Sequence, residues 1–342
     1  MTTCASYGSS SEVALYYALD PDLSDLDLTD NTIKWQQVRI TGETMDLALS
    51  STISDEITPQ RSYANSKLTQ GKVSGGFKFE ASAGFLDNWL IAALQADKDM
   101  TILGDTPPSD PWDADAEAII NGSRKHCLTL LKVVTLASGN YDLYVFRGCQ
   151  VGSLDLSFQP GALITGSVSV MGTGGQAYAD QSTIPAGWTL TADYNNPLMS
   201  GVDSLTGLQL QSSIGADLGI IFQNFSLKLD NQAREQFGVG TGSIYAAGVA
   251  SGRFMLTMDA AAYYSNPAIF NNFVQDNELK VVFSMLDSGG NGWDFLIDKV
   301  KVTGGSTPQA GGPDQDLIIS STFQGFESLS NGTVKITKQV VS

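Results

Sequence analysis

One pattern of strands and a short helix occurs twice in this sequence, in the same order. The clearest match is a segment in which apolar residues flank a polar pair, at residues 85–90 and again at 269–274, an offset of 184 (85 to 269). Before it, residues 74–77 match 251–254 at an offset of 177 (74 to 251), and after it residues 141–145 match 293–297 at 152 (141 to 293). Changing offsets indicate loop insertions, which leave a shared core intact.

The duplication and the composition together predict a mainly β protein with two tandem domains. Of 342 residues, 35 are Gly and 11 are Pro, and segments such as 72–81 and 225–229 alternate as strands do. Apolar stripes at 85–93 and 269–274 predict one short helix in each copy. We expect an acidic N-terminal arm at 1–31, domains at 32–175 and 208–342, and a Gly-, Asn- and Pro-rich linker at 176–207. Residues 95–121 are predicted to be a surface loop peculiar to the first copy.

Charge and cysteine content limit the classes of function. The net charge of −17 argues against a surface that grips nucleic acid through its phosphates, but not against one that DNA passes. Cys4, Cys127 and Cys149 have no metal-ligand spacing and indicate no disulfide framework, as expected in a reducing compartment. We find neither a signal peptide nor an apolar run long enough to span a bilayer, so we expect the protein to be soluble when made.

The sequence indicates no catalytic, metal or cofactor site. The single histidine, His126, adjoins Cys127, whose side chain should point to the opposite face of a strand. The Asp-rich stretch 20–30 lacks the Gly and flanking helices of a calcium loop, and the Gly-rich stretches 172–175 and 238–242 do not open a helix with Lys. Acidic residues could supply a pair for glycoside hydrolysis, but the sequence singles out none. We predict no enzyme and no cofactor.

Seven short segments, taken in order, carry a resemblance to a known family. They are residues 38–43, 56–61, 75–80, 146–161, 166–172, 248–254 and 304–316. In this order they resemble the tail tube proteins of long-tailed bacteriophages, in a duplicated two-domain form. The resemblance extends over about residues 32–325. It rests on the order of the segments and on the duplication, and not on a single specific motif.

The resemblance implies a structural protein of the virion tail. Each domain would be a tail-tube β-sandwich or partial barrel with one flanking helix, whose sheet joins neighbouring sheets around a channel and so satisfies its open edges. Family rings are commonly six-fold, so three copies would form a pseudo-hexameric ring with an acidic lining along which double-stranded DNA slides without specific binding. The implied partners are further copies of the chain and the tail-tip or baseplate, tape-measure and tail terminator proteins. Synthesis would be in the host bacterial cytoplasm, with no membrane involved.

Both copies also contain a long polar loop between two strands. The loops span residues 50–70 and 230–248, and loops of this length without evident structure are usually functional or disordered. The resemblance implies that they bridge one ring to the next. The candidate inter-ring contacts are Asp55, Glu56, Ile57 and Arg61 in the first loop and Asn231, Arg234, Glu235 and Phe237 in the second.

Two other classes of function stay open at this point. A virion decoration or adhesin module that binds a host glycan would favour an exposed aromatic cluster, which Trp112, Trp188 and Tyr194 could supply. A glycan hydrolase is the third interpretation, and a turnover assay separates it from a binder. Open-ended stacking distinguishes the tube from both, because neither alternative requires it.

Overall fold

The computed structural model describes residues 12–20, 28, 32–57, 59, 62–63, 65–103, 109–192, 196–305, 307–308 and 313–341. Strands account for 53% of the chain and helices for 6%, so the prediction of a mainly β fold with two short helices is confirmed. Neither helix in these residues is long and apolar enough to cross a lipid bilayer. The helices are α1 (Phe85–Leu94) and α2 (Ala268–Val274). The strands are β1 (Val13–Leu19), β2 (Lys34–Gln37), β3 (Gly42–Glu43), β4 (Asp46–Ile53), β5 (Ser66–Glu80), β6 (Ala118–Ile120), β7 (Leu128–Thr135), β8 (Tyr141–Phe158), β9 (Thr165–Gly172), β10 (Gly174–Gln181), β11 (Thr189–Thr191), β12 (Leu205–Ser212), β13 (Phe222–Asp230), β14 (Arg234–Gln236), β15 (Gly248–Ala250), β16 (Met255–Tyr263), β17 (Leu279–Leu286), β18 (Gly292–Gly305), β19 (Ile318–Gly325) and β20 (Lys335–Gln339).

The strands of the two halves pair in the same pattern. In the first half, β5 pairs with β4 and β9, and β8 pairs with β7, β9 and β10. In the second half, β16 pairs with β13 and β19, and β18 pairs with β17, β19 and β20. Strand β1 lies on β7 as β12 lies on β17. Each of these strands therefore has a counterpart in the other half.

A strand pair joins the two halves directly. Strands β8 and β13 run antiparallel, from Phe158 opposite Phe225 to Ser153 opposite Asp230. This pairing creates one sheet in the order β4, β5, β9, β8, β13, β16, β19, β18, which we call the shared sheet. Strands β8 and β18 are long because their first parts pair with β7 and β17 and only their last parts belong to the shared sheet.

The largest hydrophobic core extends through both halves. It contains residues from Leu15 in β1 to Ile336 in β20, and aromatic rings hold it together where the halves meet. The ring centroids of Phe158 and Phe225 are 5.4 Å apart, and Phe283 lies 5.7 Å and 5.5 Å from these two. Such pairs add about 0.5–1.5 kcal/mol each beyond the area that they bury. The junction is therefore part of the folded core.

Three segments differ from their predicted form. The predicted arm contains β1, which pairs along its whole length with β7, because Leu15 and Tyr17 alternate into the core. The predicted linker contains most of β10 and all of β11, and Trp188 within it packs on Trp35 with ring centroids 5.2 Å apart. The predicted surface loop at 95–121 buries Trp112 and pairs through β6 with β20. Apolar residues inside these polar stretches explain all three differences.

The sequence match at an offset of 177 is also wrong. Gly75 lies within β5 opposite Val170, whereas Gly252 precedes β16 and donates its backbone N–H to the carbonyl of Asn231. A single-residue bulge in β8 directly follows the pair of Val151 and Val170, and a single-residue bulge in β18 follows the pair of Val302 and Phe323. Val170 and Phe323 are therefore counterparts, and Phe323 faces Met258 in β16 as Val170 faces Gly75 in β5. The counterpart of Gly75 is therefore Met258, an offset of 183 (75 to 258). This value agrees within one residue with the offset of the helices.

Candidate assembly surfaces

The solvent-facing side of the shared sheet is polar. Along β16, Leu256 and Met258 are buried while Asp259 and Thr257 face outward, as expected for a strand with one solvated face. Two adjoining depressions cross this face from β5 to β19, and Ser, Thr and other small side chains make up most of their lining. Their charged side chains are Lys78, Asp155, Lys228 and Asp259. The lining of these two depressions therefore carries two acidic and two basic side chains.

An opposite-charge pair marks the place where the two halves meet on this face. Asp155 in β8 lies directly opposite Lys228 in β13. Burial raises the pKa of Asp155, and the nearby charge of Lys228 opposes that rise. Opposite charges on facing residues of neighbouring strands stabilise a sheet by about 0.2–1 kcal/mol. The pair therefore favours the observed register of the junction.

The shared sheet has two open edges. Strands β3 and β4 pair only with β5 among the described residues, and Asp46, Ala48 and Leu49 are exposed. At the other end, β18 pairs with β19 from Val300 to Gly305, whereas β17 covers its other side only as far as Val300. Both edges thus leave backbone donors and acceptors available, which is the usual basis for pairing with another chain.

The first predicted contact loop lies at the tip of the long hairpin formed by β4 and β5. Asp55, Glu56 and Ile57 are all exposed, and the side chain of Ile57 is 99% accessible. Tyr63, which the sequence did not single out, is 77% accessible on the same loop. Arg61 lies outside the described residues. An isoleucine and a tyrosine presented this fully indicate a surface that another molecule can cover.

The second predicted contact loop folds back onto the base of that hairpin. The ammonium of Lys72 in β5 is 3.2 Å from the carboxylate of Glu235, whose side chain is buried. The backbone N–H of Gly71 donates to the carbonyl of Ile244 over 2.9 Å. Asn231 is also buried, and its amide donates to the carbonyl of Val151. Both side chains therefore make contacts within the chain.

The other two candidates of the second loop are accessible. Arg234 is exposed in β14, and Phe237, which follows β14, is 45% accessible. The β14–β15 hairpin packs against β9. Of the eight predicted contact residues, Asp55, Glu56, Ile57, Arg234 and Phe237 present exposed side chains. Periodicity could not distinguish them from Asn231 and Glu235, because burial here comes from folding onto a distant strand.

The two helices occupy counterpart positions but differ in exposure. Helix α1 follows β5, which pairs with β9, and α2 follows β16, which pairs with β19. Helix α1 packs against β8, and α2 packs against β18. Leu86, Trp89 and Leu90 of α1 are completely buried. Phe270 and Phe273 of α2 are each 39% accessible, and Val274 is 68% accessible. Counted by the helix offset, these are the same three positions.

A buried carboxylate connects α1 to the second half. The carboxylate of Asp87 accepts a hydrogen bond from the indole N–H of Trp293 and another from the ammonium of Lys338, each over 2.8 Å. Burial raises the pKa of Asp87, and Lys338 opposes that rise. The ammonium of Lys338 also donates to the carbonyl of Trp112 over 2.7 Å. This cluster is the main polar contact between α1 and the strands of the other half.

The residues considered for catalysis or glycan binding have the following positions. The described residues contain no group of three His, Cys, Asp or Glu side chains able to hold a metal ion. Burial lowers the pKa of His126, and its ring nitrogen lies 2.8 Å from the carbonyl of Ala96. Trp112 and Trp188 are buried, and Tyr194 lies outside the described residues. The exposed aromatic cluster expected of an adhesin is therefore not formed by these two tryptophans.

Comparison with known proteins identifies the family. The sequence profile described as phage tail tube protein matches residues 9–325 of the chain. The chain belongs to the phage tail tube protein family. No curated protein sequence matches it significantly. Membership confirms the predicted family and makes the chain a structural protein of the phage tail.

Proposed function

We propose that three copies of the chain close into a ring, and that these rings stack into the tube of a phage tail. Each half of the chain would be one tail-tube unit, so that a ring contains six units. The pairing of β8 with β13 carries this proposal, because it joins two units edge to edge within one chain. The open edges at β3–β4 and β18 are the counterparts of the two strands in that junction. Their pairing between copies would satisfy every edge of the shared sheet.

The register of this pairing follows from counterpart positions. A single-residue bulge follows Val151 in β8 and Val302 in β18. Ser153 and Gly304, the first paired residues after the bulges, are therefore counterparts. Within the chain, Ser153 faces Asp230 of β13.

The counterpart of Asp230 is found across the other edge. Gly42 faces Lys78 in β5, and Asn224 faces Ala261 in β16. Val170 in β9 and Phe323 in β19 stand beside the two bulges and are counterparts. Counting three residues back along β9 and β19 shows that Lys78 and Ala261 occupy equivalent positions, so Gly42 and Asn224, which face them, are counterparts too. Six residues further along, Ala48 is the counterpart of Asp230. We therefore place Gly304 of one copy opposite Ala48 of the next.

The polar face of the shared sheet would line the channel. A ring closes with the core side of each unit packed outward, and this leaves the face with Asp155, Lys228 and Asp259 toward the lumen. Hydroxyl groups and balanced charges provide no basic surface to retain DNA phosphates. DNA would pass without specific binding. The ends of such a tube would contact the tail-tip or baseplate, tape-measure and tail terminator proteins.

The long β4–β5 hairpin would contact the next ring. Its tip presents Asp55, Glu56 and the fully exposed Ile57, with Arg61 in the same loop. Arg234 and Phe237 of the second loop would add contacts near the base of the hairpin, while Asn231 and Glu235 hold that loop in place. Each ring would then present three long hairpins and three short, folded loops to its neighbour.

Cysteine cross-linking tests ring closure and its register. The variant A48C/G304C, in a C4S background, should form disulfides between copies, because facing residues of antiparallel strands have Cα atoms about 4.5–5.5 Å apart, within disulfide range. The products should be two- and three-chain species, and electron microscopy should show rings of three. The control T52C/G304C places the cysteine on the same strand four residues further. Equal cross-linking of both pairs, or rings of six chains, would contradict the proposal.

A second experiment separates stacking from ring closure. Ile57→Asp places a charge on the exposed hairpin tip and should leave rings intact while shortening or abolishing tubes. Ile214→Asp is the matched control, because Ile214 is 90% accessible on a turn outside both loops. Tubes of normal length from the Ile57 variant would overturn the role of the hairpin.

A further inference from the structure

We infer that the exposed apolar face of α2, formed by Phe270, Phe273 and Val274, is covered by the first half of the next copy in the ring. The inference rests on the proposed ring and names a second contact surface, separate from the edge strands. Its basis is the covered state of α1 within the same chain. Leu86, Trp89 and Leu90, the counterparts of the three exposed residues, are completely buried.

The contact that α1 makes with the second half supplies the template. Asp87 of α1 accepts hydrogen bonds from Trp293, near the start of β18, and from Lys338 in β20. Trp293 and Lys338 face each other across these two strands. The rotation that carries the first half of the chain onto the second carries the second half onto the first half of the next copy. The same helix contact should therefore recur between copies.

Counterpart positions identify the residues on both sides of this contact. By the helix offset, Asn271 of α2 corresponds to Asp87. The bulges that make Ser153 the counterpart of Gly304 give β8 and β18 an offset of 151, and the pairings with β7 and β17 keep it, so Asp142 is the counterpart of Trp293 (142 to 293). We therefore place Asn271 against Asp142 of the next copy. Asn271 is exposed, and Asp142 is half-buried in the chain.

The chemistry of the two contacts agrees with this assignment. Within the chain, the carboxylate of Asp87 meets the ammonium of Lys338, so that a buried charge is paired. At the proposed contact the roles are exchanged, because the amide of Asn271 would donate a hydrogen bond to the carboxylate of Asp142. A carboxylate on both sides would place like charges against each other, which is unfavourable at an interface. In both contacts, therefore, one side supplies a carboxylate acceptor and the other side supplies the N–H donor.

Cross-linking of the assembled protein tests the contact. We would place cysteines at Asn271 and Asp142 in a C4S background, leaving buried Cys127 and Cys149 unchanged, and treat the assembly with a short bismaleimide. A bismaleimide suits this pair because the template joins Asp87 to the long side chain of Trp293. We expect two- and three-chain products from N271C/D142C and none from either single variant. Absence of these products in rings that form A48C/G304C disulfides would overturn the inference while the ring stands.

A substitution provides an independent readout. Phe273→Asp should raise the protein concentration needed for ring formation at least tenfold, because it puts a charge into an apolar contact. Leu329→Asp is the control, since Leu329 is fully accessible in a turn outside the proposed contact. Equal effects of the two substitutions on ring formation would contradict the inference. Failure of the unsubstituted protein to form rings would instead contradict the proposed function.

Discussion

Replacing Asp87 by Ala removes the carboxylate that connects α1 to the second half of the chain. In the folded protein this carboxylate accepts hydrogen bonds from Trp293 and Lys338, each over 2.8 Å, and the side chains of Asp87 and Lys338 are each only 14% exposed. The substitution would leave an ammonium and an indole N–H without their acceptor in a mostly buried site at the edge of a small cleft. The carbonyl of Trp112 would remain as an acceptor for Lys338.

The expected loss of stability follows from these contacts. Removing one partner of a buried ion pair costs about 3–5 kcal/mol, and an unsatisfied buried donor costs about 1–3 kcal/mol. The remaining bond to Trp112 and the aromatic ring beneath the Lys338 ammonium, 5.6 Å away, reduce the first cost. We therefore expect Asp87→Ala to lower the free energy of unfolding by about 3 kcal/mol.

A double-mutant cycle isolates the pair. Lys338→Met keeps much of the side-chain volume and removes the charge, so D87A/K338M should recover about 2 kcal/mol of the loss as coupling energy. The measurement is urea unfolding of the unassembled protein, followed by tryptophan fluorescence and by circular dichroism. Additive effects, with coupling below about 0.5 kcal/mol, would refute the argument that the ion pair joins the two halves.

Three further predictions concern other parts of the fold. Gly76→Ala would place a Cβ atom 2.1 Å from the carbonyl oxygen of Val168, so it should lower the free energy of unfolding by about 3 kcal/mol, measured by thermal unfolding. In the control Gly42→Ala the new Cβ meets no atom within 4 Å and the loss should be far smaller; equal losses would contradict this reasoning. Burial lowers the pKa of His126 in the folded protein, so around and below pH 6.5 the unfolded chain binds more protons, and the free energy of unfolding should fall from pH 7.5 to 5.5 by at most about 1.4 kcal/mol per pH unit. His126→Gln should remove that part of the slope in urea titrations, and an unchanged slope would contradict the assignment. Lys72→Ala removes the ion pair with Glu235, so it should speed proteolysis within residues 236–247, but it should lower the free energy of unfolding by less than about 1 kcal/mol because Lys72 is half exposed. Unchanged cleavage would show that this ion pair does not hold the loop.

The sequence predicted the mainly β class, both helices and the family. The helix match at 85–90 and 269–274 was reliable because an apolar stripe around a polar pair is a constraint of helix packing, and the helices span Phe85–Leu94 and Ala268–Val274. The match of Gly75 with Gly252 failed because a short Ser-Gly motif recurs readily in loops. Strand pairing, which no local pattern reveals, corrected it.

The assembly surfaces were only partly predictable. Loop length indicated both contact loops, but Asn231 and Glu235 are buried through Val151 and Lys72, which lie far away in the sequence. The acidic lining of the channel stays a prediction, and the depressions on the polar face of the shared sheet are lined mainly by small and hydroxyl side chains with two acidic and two basic residues. Total charge does not determine which face of a sheet carries the acidic residues. Register between halves, and hence the proposed register between copies, required the bulges in β8 and β18.

The most direct test of the account is a cryo-electron microscopy reconstruction of the assembled protein at a resolution that separates strands. We predict three chains per ring, with β18 of one copy antiparallel to β4 of the next and Gly304 opposite Ala48. The lumen should then be enclosed by the shared sheets of the three copies. Rings of six chains, or three chains joined with the β4 edge left open, would contradict the central claim that the junction of β8 and β13 is repeated between copies.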